Sequence, residues 1–228
     1  NDDLPIQFEM QKFVVPKRDQ PSQLTIDPRS LPAFVFKADK FTVRSKSLRN
    51  VLVQGDSIHD GLLFSKIEFG LVDLDAQGNG YWRQMDDGSI WSQFDIDMQT
   101  SDLADALESL GFESGLRNGS GNIKAQFTWP DAPHKIKLVE VAGNGSMDIN
   151  NGSVVEVEPG AARLLALFNL SAITRRLSLD FKDVTAKGFA FNKIHGNLNL
   201  QSGGDMHTDK ITVDSSAAVI ELNGTTNI

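Results

Sequence analysis

Two aspartates, Asp95 and Asp97, stand two residues apart, a spacing that puts both carboxylates on one face of a strand. Paired carboxylates can work as acid and nucleophile in glycoside hydrolysis. Their neighbours Phe94, Ile96 and Met98 define the buried side of the same run, so a solvated polar face is the simpler reading. The four histidines, His59, His134, His195 and His207, have no metal-ligand spacing between any two. Gly-x-Gly begins at Gly78, Gly119 and Gly143, without the third glycine or the helix that a dinucleotide loop needs. No Walker motif and no Gly-x-Ser-x-Gly elbow occurs, and the absence of cysteine excludes thiolate chemistry and disulfides. Arg175-Arg176 could meet a phosphate head group, or simply end a helix. Tyr81-Trp82, Trp91, Phe94 and Trp129 form an aromatic set that could stack on sugar or fill a core. No catalytic residue, metal site or cofactor is expected from this inventory.

Most of the elements that would carry these residues read as strands. Phe94, Ile96 and Met98 alternate with Asp95, Asp97 and Gln99; Ile123, Phe127 and Trp129 alternate with Lys124, Gln126 and Thr128. Leu177, Leu179 and Phe181 form a third such run, and Leu198 and Leu200 share a face in a fourth. Each run has one apolar and one wet face, as in antiparallel sheets covered on one side. Asn-Gly at Asn79, Asn118, Asn144, Asn151 and Asn223, and Asp-Gly at Asp60 and Asp87, predict hairpin turns. A weak unit recurs, Gly145 to Gly152 and Gly196 to Gly203, each with apolar residues at spacing two, suggesting a sheet that grows by adding strands.

Two helices are predicted. One spans 101–110, with an N-cap at Thr100-Ser101-Asp102 and Gly111 at its end; the other spans 160–170, with Leu164, Leu165 and Phe168 on its stripe. The prolines at 16, 21, 28 and 32 mark residues 17–33 as a linker. The expected organisation is therefore a strand and linker over 1–30, then one β segment over 31–228. Both ends look cut from a longer chain. A net charge of −8 argues against nucleic acid as a partner. No apolar run is long enough to span a bilayer as a helix.

Several landmarks stand out by their order and spacing. They begin at Leu31-Pro32 and Leu48-Arg-Asn-Val-Leu-Val-Gln-Gly55, then Asp60-Gly61-Leu62 and Gly80-Tyr-Trp82. Next come Ser101-Asp-Leu-Ala-Asp-Ala-Leu-Glu-Ser-Leu-Gly111-Phe112, Gly119-Ser-Gly121 and Trp129-Pro130. The closing block is the most specific: Glu158-Pro-Gly-Ala-Ala-Arg-Leu-Leu-Ala-Leu-Phe168, Arg176-Leu-Ser-Leu-Asp-Phe-Lys-Asp183, Gly188-Phe-Ala-Phe191 and Ile194-His-Gly196.

Taken together, these landmarks resemble the AsmA-like family, and within it the very large YhdP-type members, over roughly 31–228. The resemblance implies a mainly β fold, a long curled antiparallel sheet forming an open apolar groove of the bridge-like lipid-transfer type, here with two short helices. It implies a periplasmic segment of a Gram-negative protein whose inner-membrane anchor lies outside this stretch. The implied partners are phospholipid acyl chains, the inner and outer membranes through other parts of the protein, and possible envelope proteins. It brings no catalytic residues. On this reading Phe94, Ile96, Met98, Ile123, Phe127, Trp129, Leu177, Leu179, Phe181, Leu198 and Leu200 line the groove. Leu164, Leu165 and Phe168 would cover it. The rival readings are a β-sandwich binding module for carbohydrate or protein, and a structural envelope scaffold.

Overall fold

The structure, a computed structural model, describes residues 4–16, 26–43, 46–111, 115–154 and 189–227. Among the described residues there are eleven strands: β1 (Ile6–Val15), β2 (Phe34–Val43), β3 (Lys46–Ile58), β4 (Gly61–Leu71), β5 (Leu74–Gln84) and β6 (Ile90–Thr100) precede the helix α1 (Leu103–Ser109). Then come β7 (Leu116–Trp129), β8 (Ala142–Val154), β9 (Phe189–Leu200), β10 (Asp205–Asp214) and β11 (Val219–Asn227). They hydrogen-bond in sequence order from β1 to β11, in a sheet that is not closed into a barrel. Among the described residues no helix is long and apolar enough to cross a membrane.

The pairing is that of an antiparallel meander from β2 onward, wherever its register is defined. The exception is β1, which pairs parallel to β2, with Ile6 opposite Phe34 and Val15 opposite Val43. A parallel pair needs a crossover between its strands, and the proline-marked stretch after β1 supplies the length.

The Asn-Gly expectation needs correction. The two Asp-Gly pairs do lie at turns, one between β3 and β4 and one between β5 and β6. All five Asn-Gly pairs instead lie inside strands β5, β7, β8 and β11. Asn118 and Gly119 have φ of 57° and 100° in mid-strand. A hairpin turn and a bend within a strand use the same left-handed backbone, so the dipeptide alone does not separate them. The repeated unit fares better: its two copies are neighbours on β8 and β9, with Gly145 opposite Leu198 and Met147 opposite Gly196.

The chain forms two compact units. The first comprises Asn1–Leu71, Asp75–Met98 and Gln126–Ala142. Its core holds Leu62, Trp82 and Ala132, with Ile26, Leu31, Phe34, Phe64 and Ile90 packed against them. The second comprises Val72–Leu74, Gln99–Ala125 and Gly143–Ile228. Here Ile149, Phe191, Ile194, Ile211 and Val213 form the core. Helix α1 contributes Leu103 to that core, and its N-cap Asp102 accepts hydrogen bonds from the Ala104 and Asp105 amides, at 3.0 and 3.3 Å. Gly111 follows with φ of 85°, the left-handed cap the sequence predicts. The second helix, expected near 160–170, lies outside the described residues.

Candidate lipid-binding face

In the first unit a row of aromatic rings crosses the strands. Phe34 on β2 and Phe64 on β4 have ring centroids 6.5 Å apart. Phe64 and Phe94 on β6 are 5.4 Å apart, and Phe94 stacks on Trp129 of β7 at 5.5 Å and 20°. Strands two apart are separated by about 9.6 Å, so rings on β2, β4 and β6 meet only if the strand between carries no side chain there. That strand carries glycine each time. Gly55 on β3 pairs with both Phe34 and Phe64, and a Cβ at Gly55 would come 2.5 Å from the Phe34 ring. Gly80 on β5 lies under Phe94, where a Cβ would meet the ring at 2.5 Å and the Gln93 carbonyl oxygen at 2.4 Å.

Aromatic and glycine thus alternate over β2 to β6, and the rings lean across the gaps into one apolar track perpendicular to the strands. The track crosses five inter-strand steps, about 24 Å, against roughly 15 Å for one leaflet of a bilayer's hydrocarbon. Phe34, Phe64 and Phe94 are only partly buried, whereas Trp129 is 5% exposed.

The opposite face of β5 to β7 carries polar contacts. The Tyr81 hydroxyl donates to Gln93 Oε1 at 2.7 Å, Arg83 lies 4.2 Å over the Tyr81 ring, and Gln126 Nε2 donates to Asp95 Oδ1 at 2.6 Å. Asp95 is therefore bound to an amide rather than set against a second acid, and it is partly buried rather than turned fully to water as alternation suggests.

The candidate lining residues divide between the units. Phe94, Ile96, Met98, Phe127 and Trp129 belong to the first; Ile96 lies over Gly78, as Phe94 lies over Gly80. Ile123, Leu198 and Leu200 belong to the second, where Ile123 and Leu198 pack against the core. Leu177, Leu179, Phe181, Leu164, Leu165, Phe168 and the Arg175-Arg176 pair lie outside the described residues. Phe34 and Phe64 were missed by the sequence reading; their signal is an aromatic whose cross-strand partner is glycine. Sugar stacking loses two of its three tryptophans, since Trp82 and Trp129 are each 5% exposed and Trp91 alone is accessible at 38%.

Among the described residues no group of three or more acidic, histidine or cysteine side chains could hold a metal. His207 does stand between a hydroxyl and a carboxylate, 3.1 Å from Thr225 Oγ1 and 3.0 Å from Asp209 Oδ1. Asp209 is 97% exposed, so the group is a surface ladder on β10 and β11, open to water.

The sequence model of the YhdP protein family matches residues 1–228. The chain belongs to the YhdP family. The intermembrane phospholipid transporter YhdP of Escherichia coli strain K12 is 31% identical over 124 residues. That alignment covers 54% of this chain and 10% of the transporter, so the chain corresponds to a small part of that relative's length. No solved structure matches.

Proposed function

We propose that this chain is a lipid-conducting segment of an intermembrane phospholipid carrier, and that the aromatic row over β2 to β7 forms part of its track. The row carries the reading: it is apolar, partly accessible, longer than one acyl tail, and backed over β5 to β7 by polar contacts on the other side of the sheet. A tail laid along it gains about 0.8 kcal/mol per buried CH₂, so a continuous apolar surface can compete with a bilayer without a specific polar anchor. The residues involved would be Phe34, Phe64, Phe94, Ile96, Phe127 and Trp129. In the second unit Ile123, Leu198 and Leu200 would serve the same purpose. The full protein would act in the periplasm, between inner and outer membranes, without a catalytic step.

Photo-crosslinking tests this. A benzophenone amino acid at Phe64 or Phe94 should capture phospholipid in cells, and one at Tyr81 or Gln93 on the polar face should not. Native mass spectrometry of the purified chain should show bound phospholipid. Equal capture from both faces, or none from either, removes the row as a track.

A further inference from the structure

Trp82, near the end of β5, is 5% exposed, yet its indole N–H has no hydrogen-bond partner among the described residues. Trp129 differs: its N–H donates to the Ala132 carbonyl at 3.2 Å. A buried donor without an acceptor is costly, and native proteins leave few of them. The His134 ring stands edge-on to Trp82, with centroids 6.2 Å apart, and a contact with a ring recovers only a fraction of a hydrogen bond. Gln84 Oε1, on the same face two residues on, is also buried and unpartnered. A glutamine amide can turn to exchange its oxygen and nitrogen, whereas an indole N–H has no such alternative.

The position of this donor points to its acceptor. Trp82 forms a core with Leu62 and Ala132, and Phe34 and Phe64, two rings of the aromatic row, pack against that core. The unpartnered N–H is closed to water and lies against the core on which two rings of the track pack, so an acceptor reaches it only where a lipid displaces part of that packing. We propose that Trp82 Nε1–H donates to the ester carbonyl of a glycerolipid whose acyl tail lies along the Phe34–Phe64–Phe94 row.

This inference rests on the lipid-carrier reading and adds a polar station to it. The carbonyl is the first polar atom beyond the tail, and it is neutral. A phosphate would bring a full charge to an apolar place, which is far costlier without a cation. The neighbouring cations already face carboxylates: Arg83 Nε lies 3.4 Å from Asp60, an ion pair without a hydrogen bond, and Lys135 lies 3.5 Å from Asp131. A single neutral hydrogen bond changes affinity by about fivefold, enough to set the depth of a lipid and too little to trap it.

The test uses the ¹⁵N-labelled chain and its three indole N–H resonances, with that of Trp82 assigned by Trp82→Phe. A short-chain diacyl phosphatidylcholine and its dialkyl ether analogue, which lacks the carbonyls, are titrated below their micelle concentrations. The diacyl lipid should shift the Trp82 resonance and the ether lipid should leave it in place, although both bind. Trp82→Phe should weaken the diacyl lipid about fivefold and leave the ether lipid unchanged. Binding of both lipids with the Trp82 resonance unmoved, or moved equally by both, overturns the carbonyl contact and leaves the track standing. A Trp82→Phe variant that is less stable but binds both lipids like the parent assigns the N–H to the fold and also overturns it. Binding of neither lipid overturns the track itself and this station with it.

Discussion

Phe94 is the place to separate a lipid track from an ordinary core, by comparing Phe94→Ala with Phe94→Asp. The alanine variant loses a partly buried ring and its contacts to Phe64 and Trp129, at 5.4 and 5.5 Å. A fully buried Phe→Ala change costs about 3–5 kcal/mol, and each aromatic pair adds about 1 kcal/mol. For a ring that is partly accessible, the expectation is about 3 kcal/mol, or roughly a 10 °C fall in Tm for a chain of this size. The aspartate variant adds one question, whether a carboxylate at this position reaches water. On an open track it does, and Phe94→Asp should lie within about 1 kcal/mol of Phe94→Ala. In a closed core the unpaired charge adds several kcal/mol. Chemical denaturation of both variants measures the difference, and native mass spectrometry of the same samples measures bound phospholipid. The expected pair of results is a small difference in stability and a loss of lipid from Phe94→Asp. A gap above about 3 kcal/mol between the variants refutes the open face. A folded Phe94→Asp variant with the parent's full lipid load refutes the track at this ring.

Three further outcomes follow from the same geometry. Ile96→Asp and Phe127→Asp, on the same two strands, should give folded chains that no longer retain phospholipid, read by lipid extraction and mass spectrometry. Gly80→Ala should destabilise by about 2 kcal/mol in a thermal melt, because the new methyl meets the Gln93 carbonyl oxygen, which cannot rotate away, as well as the Phe94 ring. The hydrogen bond from Lys193, at 2.7 Å, holds the Asp148 carboxyl below its ordinary value, with help from the Lys193 charge and from Asn150. A lowered carboxylate pKa means stability that is present above the unfolded value near 3.9 and lost as pH falls through the folded one. Lys193→Met should therefore return the Asp148 titration toward the ordinary value, followed by carboxyl NMR.

Local pattern made much of the fold legible. Alternation over 94–98, 123–129 and 198–200 marks strands β6, β7 and β9, and the Asp102 cap with Gly111 marks α1. What pattern could not give was anything decided by two distant strands. Asn118-Gly119 reads as a turn because its left-handed backbone is the same in a bent strand. The parallel partner of β1 depends on a crossover of which the sequence shows only the prolines. The aromatic set divides for a similar reason. Phe94 and Trp129 belong to the row, but Tyr81 points to the polar face, Trp82 enters the core and Trp91 stays exposed. Phe34 and Phe64 join the row only because Gly55, far away in sequence from Phe34, pairs between them.

The alternation of ring and glycine also limits how such a track can change length. Growth perpendicular to the strands adds about 4.8 Å per strand, so each ten-residue strand with its turn extends the row by less than a helix gains in four residues at 1.5 Å each. Strands must enter in pairs. One extra strand within β2 to β6 would set ring against ring, as Phe94 and Trp129 already stand where the alternation ends, or glycine against glycine, and would reverse the direction of every strand after it. A whole hairpin keeps both the alternation and the polarity, and lengthens the row by about 10 Å. Reach is thus quantised, and duplication of a hairpin is the smallest genetic step that lengthens the path without breaking it.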